Sequence, residues 1–169
     1  IAFHCLTFLS FKMDILTYRW FVDTKKSQMK SNTMKAMVAN EYGGPEVFQL
    51  QEVNIPTPKS NEILVKVSAA SVTRADTMMR TGKPYISRLF VGLNKPKHPI
   101  PGTGFSGAVV ACGDSVAKFK VGDEVFGETT TNFSTNAEYV AITENGVVHH
   151  RPENLSSAAA AVFCDREPQ

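Results

Sequence analysis

The chain has 169 residues, of which 43% are hydrophobic and 20% charged, a composition typical of a globular domain rather than a disordered or fibrous chain. Its 18 Lys and Arg residues against 16 Asp and Glu residues give a net charge of +2, which offers no electrostatic argument for binding nucleic acid or an anionic membrane. The 3 cysteines are widely spaced, so neither a disulfide framework nor a zinc knuckle is predicted. A reducing, cytoplasmic compartment fits this cysteine usage.

Residues 1–33 are interpreted as an amino-terminal extension. Residues 1–11 are apolar but follow no basic segment, which argues against a secretory signal. No apolar run reaches the roughly 18–20 residues that a membrane-spanning helix needs. Basic residues between Lys12 and Lys30 keep a mitochondrial transit segment open as the alternative to a cytoplasmic location.

From Met34 onward the pattern changes to short strands separated by turn residues, which is typical of a barrel or sandwich. Strands are predicted over 35–41, 47–53, 62–70, 105–112, 124–127, 137–142 and 147–150. The clearest is 62–70, where Ile63, Val65 and Val67 share one face. The sequence Glu-Asn-Gly at 144–146 predicts a hairpin turn between the last two strands, since Asn and Gly tolerate positive φ.

Two helices are predicted. The first covers 73–81, with Thr73 as the cap, Asp76 in the first turn and Gly82 as the stop. The second covers 157–162. It is alanine-rich but too short to be stable alone, so it needs a surface to pack on.

The segment between the first helix and the next strand, 83–101, contains four prolines and is predicted to be a long loop. It leads into Gly-Thr-Gly-Phe-Ser-Gly at 102–107, which matches the G-x-G-x-x-G spacing of a dinucleotide fingerprint. Such a fingerprint requires a strand before it and a helix after it. Here a loop precedes and a strand follows, so the glycines are interpreted as a tight entry of the backbone into a barrel.

Other groups of residues that could suggest a functional site have simpler structural interpretations. His149 and His150 are adjacent in a strand and point to opposite faces, so they cannot chelate one metal. The sequence has no G-x-S-x-G motif, so serine hydrolase chemistry has no support. Arg74 and Asp76 could touch a ligand, but spacing alone favours helix capping and a solvated face.

Three stretches carry a family resemblance when they are taken together. They are 34–47, which ends in Tyr-Gly-Gly-Pro-Glu-Val, 61–77, and 101–127 followed by Ala-Glu-Tyr-Val at 137–140. As a set they resemble the catalytic domain of the zinc-independent quinone oxidoreductase branch of the medium-chain dehydrogenases/reductases.

The resemblance implies a mainly β fold, a co-chaperonin-like, partly open barrel with short helices, over residues 34–155. Residues 156–169 would begin the helix that leads to a nucleotide-binding Rossmann domain, before which the chain is expected to stop. The implied activity is hydride transfer from NADPH or NADH, bound mainly by that second domain, to a small-molecule quinone, enone or related carbonyl. This chain alone is expected to be inactive, no nucleic-acid or membrane partner is expected, and the parent protein is one that could form a homodimer.

The resemblance also implies that zinc is not used. The zinc-using alcohol dehydrogenase branch has a cysteine at the position of Thr73, and a histidine and a glutamate at the positions of Thr103 and Gly104. Threonine and glycine cannot build a tetrahedral zinc site. The carbonyl must then be polarised by hydrogen bonds or by its own conjugation, which favours quinones and enones over simple alcohols.

Four residues are expected at the site by the same resemblance. Thr73 is the expected catalytic residue, in contact with the nicotinamide or the substrate oxygen, and Arg74 is expected to contact the cofactor phosphates. Met78 and Phe126 are expected to line an apolar substrate pocket. Quinone reductases usually have asparagine and tyrosine at the positions of Thr73 and Met78, so this chain keeps one hydrogen-bonding group there and replaces the other with apolar bulk.

A second hypothesis is a free-standing barrel that acts as an interaction or co-chaperonin-like module without catalysis. A self-contained barrel should close with a paired strand, whereas here the last element is a helix that is expected to lack a partner. This difference favours the enzyme hypothesis.

Overall fold

Two antiparallel sheets make up most of the fold. The computed structural model describes residues 32–130 and 133–163. The strands are β1 (Thr33–Ala39), β2 (Phe48–Asn54), β3 (Glu62–Ala70), β4 (Gly104–Cys112), β5 (Glu124–Glu128), β6 (Tyr139–Thr143) and β7 (Val147–His150). Strands β1 and β2 pair with each other, and the other five form one sheet in the order β6-β3-β4-β5-β7.

The five-stranded sheet curls into a partly open barrel, which confirms the predicted mainly β fold. Its core is a cluster of buried apolar side chains from every strand of this sheet: Ile63, Val65, Phe105, Val109, Val125, Val140, Ile142 and Val148. The predicted apolar face of β3 points into this cluster, because side chains alternate along a strand. Leu64, on the opposite face of β3, is also buried.

Helix α1 (Arg74–Thr81) follows β3 as predicted, with Thr73 as its amino-terminal cap. It ends at Gly82, whose φ of 59° is in the left-handed region that glycine adopts without strain.

The predicted loop over 83–101 is wrong in part. A 3-10 turn (Tyr85–Ser87) runs directly into α2 (Arg88–Val91), and α2 ends at Gly92. Arg88 ties this short helical segment to its surroundings. Its guanidinium lies over the ring of Tyr42 at 4.3 Å from the centroid, and its Nε donates to the carbonyl of Gly82 at 3.2 Å. The contact with Tyr42 joins distant parts of the chain, so proline content alone could not reveal it.

The predicted hairpin between the last two strands is also wrong. β6 pairs with β3 and β7 pairs with β5, so the two strands lie at opposite edges of the sheet. The turn carries the chain between these edges, with Gly146 N–H donating to the carbonyl of Thr143 at 2.9 Å. Neither Asn145 nor Gly146 has a positive φ. The turn sequence located the connection between the two strands, but it did not determine which strands pair.

Helix α3 (Ser157–Phe163) packs on β3, β4 and β5. Ser156 caps it, with its hydroxyl accepting from Ala159 N–H at 3.2 Å. Ala160 and Ala161 are buried, so the expectation that this helix lacks a partner is wrong. The small alanine side chains let the helix lie close to the outer face of the sheet.

The G-x-G-x-x-G sequence opens β4, as the context of the motif predicted, and no helix follows it. No helix in the part of the chain that the structure describes is long and apolar enough to cross a membrane. The predicted extension 1–33 lies outside the described residues except for its last two positions, as does the end of the chain from residue 164.

Candidate active site

A capping box closes the amino end of α1. Thr73 has an extended backbone, and its hydroxyl oxygen accepts a hydrogen bond from Ala75 N–H at 3.2 Å. In return Asp76 Oδ2 accepts from Thr73 N–H at 2.7 Å. Reciprocal bonds of this kind satisfy donors that the first turn of a helix leaves free. The hydroxyl of Thr73 therefore has a defined position at the start of the helix.

Asp76 also joins the helix to the entry of β4. Its side chain is buried, and its Oδ1 accepts a hydrogen bond from Gly102 N–H at 2.8 Å. Gly102 has a φ of 99°, and a Cβ placed on it would lie 2.3 Å from Thr135 Oγ1. Both the backbone conformation and the lack of space require glycine at this position.

A second link lies beside the first. Ser71 is buried, and its hydroxyl oxygen accepts a hydrogen bond from Gly104 N–H at 3.2 Å. Its own N–H donates to the carbonyl of Gly104 at 3.0 Å. The two bonds align the end of β3 with the start of β4.

The residue that follows β5 also binds to the segment just before β4. Thr129, directly after β5, donates its N–H to the carbonyl of Thr103 at 2.9 Å, and both threonines are buried. We call the set 71–76, 102–104 and Thr129 the junction. It brings Thr73, Thr103 and Gly104 into one region, although Thr103 and Gly104 follow Thr73 by about thirty residues in the chain.

The chemistry that the junction offers is hydrogen bonding. The hydroxyl of Thr73 is half-buried, and its contact with Asp76 Oδ2 is long, at 3.4 Å. A weak contact of this length leaves the hydroxyl proton able to turn toward a ligand. Thr73 can therefore donate one hydrogen bond without breaking the helix cap.

The structure places three of the four expected site residues together. Thr73 and Arg74 lie at the amino end of α1, and Met78 lies one turn further along. Arg74 is exposed and makes no hydrogen bond or ion pair with a described residue, while the Met78 side chain is 46% exposed. Both are accessible from outside the domain.

Phe126, the fourth expected site residue, lies on β5 and not on α1. Its neighbour Val125 points into the core cluster, so Phe126 points to the outer face of the sheet. Its ring packs edge-on to that of Phe163 on α3, with centroids 6.2 Å apart, and lies 6.0 Å from the ring of His149. These described contacts place Phe126 under α3, and none of them joins it to Thr73, Arg74 or Met78.

Sequence reasoning missed the role of Ser71 and gave Asp76 two open interpretations. Asp76 acts as the cap partner, and it additionally binds the backbone of Gly102. The Thr-x-x-Asp spacing signals the cap, because that contact is local. No local signal could reveal a bond to a residue 26 positions away.

Two titratable groups at the far end of β4 have shifted pKa values. Burial raises the pKa of the Cys112 thiol, with smaller contributions from the charges of Asp123 and Glu144. The backbone N–H groups of Lys118 and Ala117, both 2.9 Å from its carboxylate, lower the pKa of Glu144. Both pKa shifts have local structural causes, and neither Cys112 nor Glu144 belongs to the junction.

The two adjacent histidines have separate surroundings, as predicted. The ring of His149 faces Phe126, whereas that of His150 lies 4.9 Å from the ring of Phe119 and 3.8 Å from Asp123 Oδ2. Within residues 32–130 and 133–163, no three His, Cys, Asp or Glu side chains are grouped to hold a metal ion.

The barrel and its junction define a known class of domain. Residues 59–154 match the alcohol dehydrogenase GroES-like domain. The chain belongs to this family, in the quinone oxidoreductase-like branch of the medium-chain dehydrogenase/reductase superfamily.

Named relatives support the same placement. The chain is 40% identical over 132 residues to a quinone oxidoreductase of Sus scrofa, covering 77% of this chain and 37% of that protein. It is 34% identical over 136 residues to an NADPH-dependent alkenal/one oxidoreductase of Arabidopsis thaliana, covering 76% and 33%. A quinone oxidoreductase structure from Coxiella burnetii superposes with a TM-score of 0.71 at 29% identity, covering 78% of this chain and 41% of that one. The chain thus spans well under half the length of these relatives.

Proposed function

We propose that the complete protein is an NAD(P)H-dependent oxidoreductase that transfers hydride to a quinone, enone or related conjugated carbonyl, and that this chain forms its catalytic domain. One observation carries the proposal. The junction gathers Thr73, Thr103 and Gly104, the positions at which the zinc-using branch of this superfamily has its metal ligands. Hydroxyl and backbone groups lie at these positions instead of metal ligands. They suit a substrate whose carbonyl needs no metal ion to polarise it.

Thr73 is the proposed catalytic residue. Because its oxygen is held by Ala75 N–H and its proton is only weakly engaged, it can donate to the carbonyl oxygen of a substrate. The charge that develops on that oxygen during reduction is stabilised by a donor that already has its position. Asp76 and Ser71 would act as positioning residues, because they hold the backbone on either side of the site.

The cofactor would be held mainly by a separate nucleotide-binding domain. When bound, the nicotinamide ring supplies the hydride. From this chain, Arg74 would hold a phosphate, since its guanidinium is exposed and free of competing carboxylates among the described residues. Met78 would form an apolar wall of the substrate site. Phe126 stays a prediction, and its packing under α3 supports a structural role instead.

Zinc does not fit the residues at this place. Structural and catalytic zinc sites use thiolate, imidazole and carboxylate ligands, and Thr73, Thr103 and Gly104 provide none of them. We therefore propose reduction without zinc, and we expect activity of the complete protein to survive treatment with a zinc chelator.

The proposed role of Thr73 can be tested with the pair Thr73→Val and Thr73→Ser in the complete protein. We expect Thr73→Val to lower kcat/KM for a quinone or enone by about a hundredfold, since one preorganised donor is lost. Thr73→Ser keeps both the donor and the helix cap and should stay near the parent value. NADPH oxidation followed by absorbance measures both, and thermal unfolding separates a lost cap from lost chemistry. Unchanged turnover in Thr73→Val would remove Thr73 from the site.

A free-standing interaction module is the second candidate function. The observation in its favour is that α3 covers the outer face of the sheet, so this helix no longer argues for a missing partner. The two candidates differ in one measurement. If the complete protein neither binds NADPH or NADH nor oxidises either of them with a quinone or enone, it is an interaction module. For the 169-residue chain alone we expect no tight NADPH binding, and micromolar binding in a fluorescence titration would contradict this.

A further inference from the structure

The short helical segment between α1 and β4 has its apolar side chains on the outside. Ile86, Leu89 and Phe90 are exposed, and their i, i+3, i+4 spacing through the 3-10 turn and α2 places them on one side. Arg88 lies on the other side and faces the protein, where it contacts Tyr42. A helix on the surface of a globular protein normally has the reverse arrangement, with the apolar side inward.

Two further residues enlarge this apolar surface. Tyr85 belongs to the same 3-10 turn, and Leu93, just after α2, borders the same open recess of about 430 Å³ as Leu89 and Phe90. We call Tyr85, Ile86, Leu89, Phe90 and Leu93 the apolar patch, and each of the five is between 64% and 81% exposed. Single exposed apolar residues are common, but a group of them marks an interaction surface.

Basic side chains lie around the apolar patch. Lys95 and Lys97 line the recess that the patch borders, and Lys83 precedes the patch by two residues. The chain folds back after α2 to bring the first two there, with Lys97 N–H donating to the carbonyl of Val91 at 2.7 Å. All three lysines are exposed, and none makes an ion pair with a described residue. Their charges are therefore available to a partner.

The net charge of the chain, only +2, conceals how uneven the charge is. The segment 77–113 has no acidic residue and five basic ones: Arg80, Lys83, Arg88, Lys95 and Lys97. The partner that complements this segment is therefore anionic as well as apolar.

This charge distinguishes between the possible occupants of the patch. A symmetric contact with a second copy would bring the lysines of both copies together, and like charges repel. An amphipathic peptide needs a groove for its apolar side chains, whereas those of the patch project outward. Anionic lipid headgroups pair with lysines, and the layer beneath them accepts apolar side chains.

We infer that the apolar patch inserts into the interfacial layer of an anionic lipid bilayer, with Lys83, Lys95 and Lys97 against the lipid phosphates. A protein bound in this way lies on the bilayer and needs no membrane-spanning helix. Each lysine near an anionic surface strengthens binding roughly fivefold. The inference goes beyond the proposed function and does not depend on hydride transfer.

Flotation with lipid vesicles tests the inference on the 169-residue chain. Vesicles of phosphatidylcholine alone are compared with vesicles that contain about 30% phosphatidylserine, because only the second kind has a negative surface. We expect the chain to float with the anionic vesicles and much less with the neutral ones, and the binding to weaken as salt is added. Equal flotation with both kinds, or flotation with neither, would overturn the inference.

The lysines are tested with two triple variants that change the net charge equally. Binding to anionic vesicles should fall about a hundredfold in one triple variant, which changes the patch lysines: Lys83→Gln, Lys95→Gln and Lys97→Gln. The matched control changes three other exposed lysines and should lower binding much less: Lys35→Gln, Lys66→Gln and Lys120→Gln. An equal loss in both triple variants would show a general charge effect and contradict the inference.

The apolar contribution is tested with a matched pair of leucines. Leu89→Ser should weaken binding to anionic vesicles by about tenfold, because an inserted apolar side chain is lost. Leu50, on β2, is exposed to nearly the same extent but lies outside the patch, so Leu50→Ser should leave binding unchanged. Thermal unfolding checks that both variants stay folded. Equal binding by the two variants argues against insertion of the patch.

Other occupants of the patch give different results. If a second copy covers it, analytical ultracentrifugation will show a dimer that Leu89→Ser dissociates and that does not float. If another part of the complete protein covers it, the 169-residue chain will float and the complete protein will not. Binding that survives both the patch-lysine variant and Leu89→Ser comes from elsewhere in the chain, residues 1–31 included. Each of these results overturns the inference, whereas NADPH oxidation is a separate readout that tests only the proposed function.

Discussion

Two buried serines have opposite surroundings, and they represent two differently built regions. Ser71, in the junction, accepts a hydrogen bond from Gly104 N–H. Ser106 pairs across the strands with Phe126, which places it on the face of the sheet that α3 covers. It is completely buried, and its hydroxyl has no hydrogen-bond partner among the described residues.

The difference shows what each region is built to do. In the junction, side-chain oxygens bind backbone N–H groups, which fixes the backbone of residues 71–76 against that of residues 102–104. Under α3, alanine and phenylalanine side chains fill space, and a hydroxyl without a partner is tolerated. A region that must hold a precise geometry uses directional bonds, whereas a region that only stabilises the fold needs volume.

The largest effect that tests this comparison is expected from Asp76→Ala. The substitution removes two bonds from a carboxylate to backbone N–H groups and leaves the N–H of Gly102 buried without a partner. Bonds to charged groups contribute about 1.5–3 kcal/mol each, so we expect a loss of about 3 kcal/mol in the free energy of unfolding. Urea denaturation measures it. Asp114→Ala, at an exposed acidic residue, should change stability by no more than about 0.5 kcal/mol. A similar loss in both variants would contradict the role of Asp76.

Gly102→Ala should have the next largest effect, with Gly122→Ala as its control. Both glycines have left-handed backbones, with φ of 99° and 96°. A Cβ at Gly102 would meet Thr135 Oγ1 at 2.3 Å, whereas one at Gly122 would have nothing within 4 Å. We expect a loss of about 1 kcal/mol for Gly122→Ala from backbone conformation alone and about 2–3 kcal/mol for Gly102→Ala. Equal losses in urea denaturation would show that the junction has room to adjust.

The smallest effects compare the two serines directly. Ser71→Ala leaves Gly104 N–H without its side-chain acceptor and should cost about 1–2 kcal/mol. Ser106→Ala removes a hydroxyl that has no partner, so stability should stay within about 0.5 kcal/mol or rise. Thermal and urea unfolding of the two variants side by side measure the contrast. If Ser106→Ala costs as much as Ser71→Ala, the two regions are not built differently.

Features that depend on neighbours in the sequence were predictable. The alternation of Ile63, Val65 and Val67 located a strand face, and Thr73 with Asp76 located a helix start. The context of the G-x-G-x-x-G motif correctly indicated a strand.

Features that depend on distant contacts were not predictable. The turn at 144–146 carried a hairpin signal, yet β6 and β7 occupy opposite edges of the sheet. The segment 83–101 carried a loop signal, yet contacts of Arg88 with Tyr42 accompany a short helix there. The ring contact between Phe126 and Phe163 likewise joins residues that are far apart in the chain.

The sequence by itself determined the strand faces and the helix cap, because periodicity and capping act over a few residues. Only the tertiary structure decided that Asp76 binds Gly102 and that α3 has a surface to cover. The physical reason is that burial and hydrogen-bond pairing are satisfied across the whole fold. A residue's partner is therefore set by the space it shares and not by its distance along the chain.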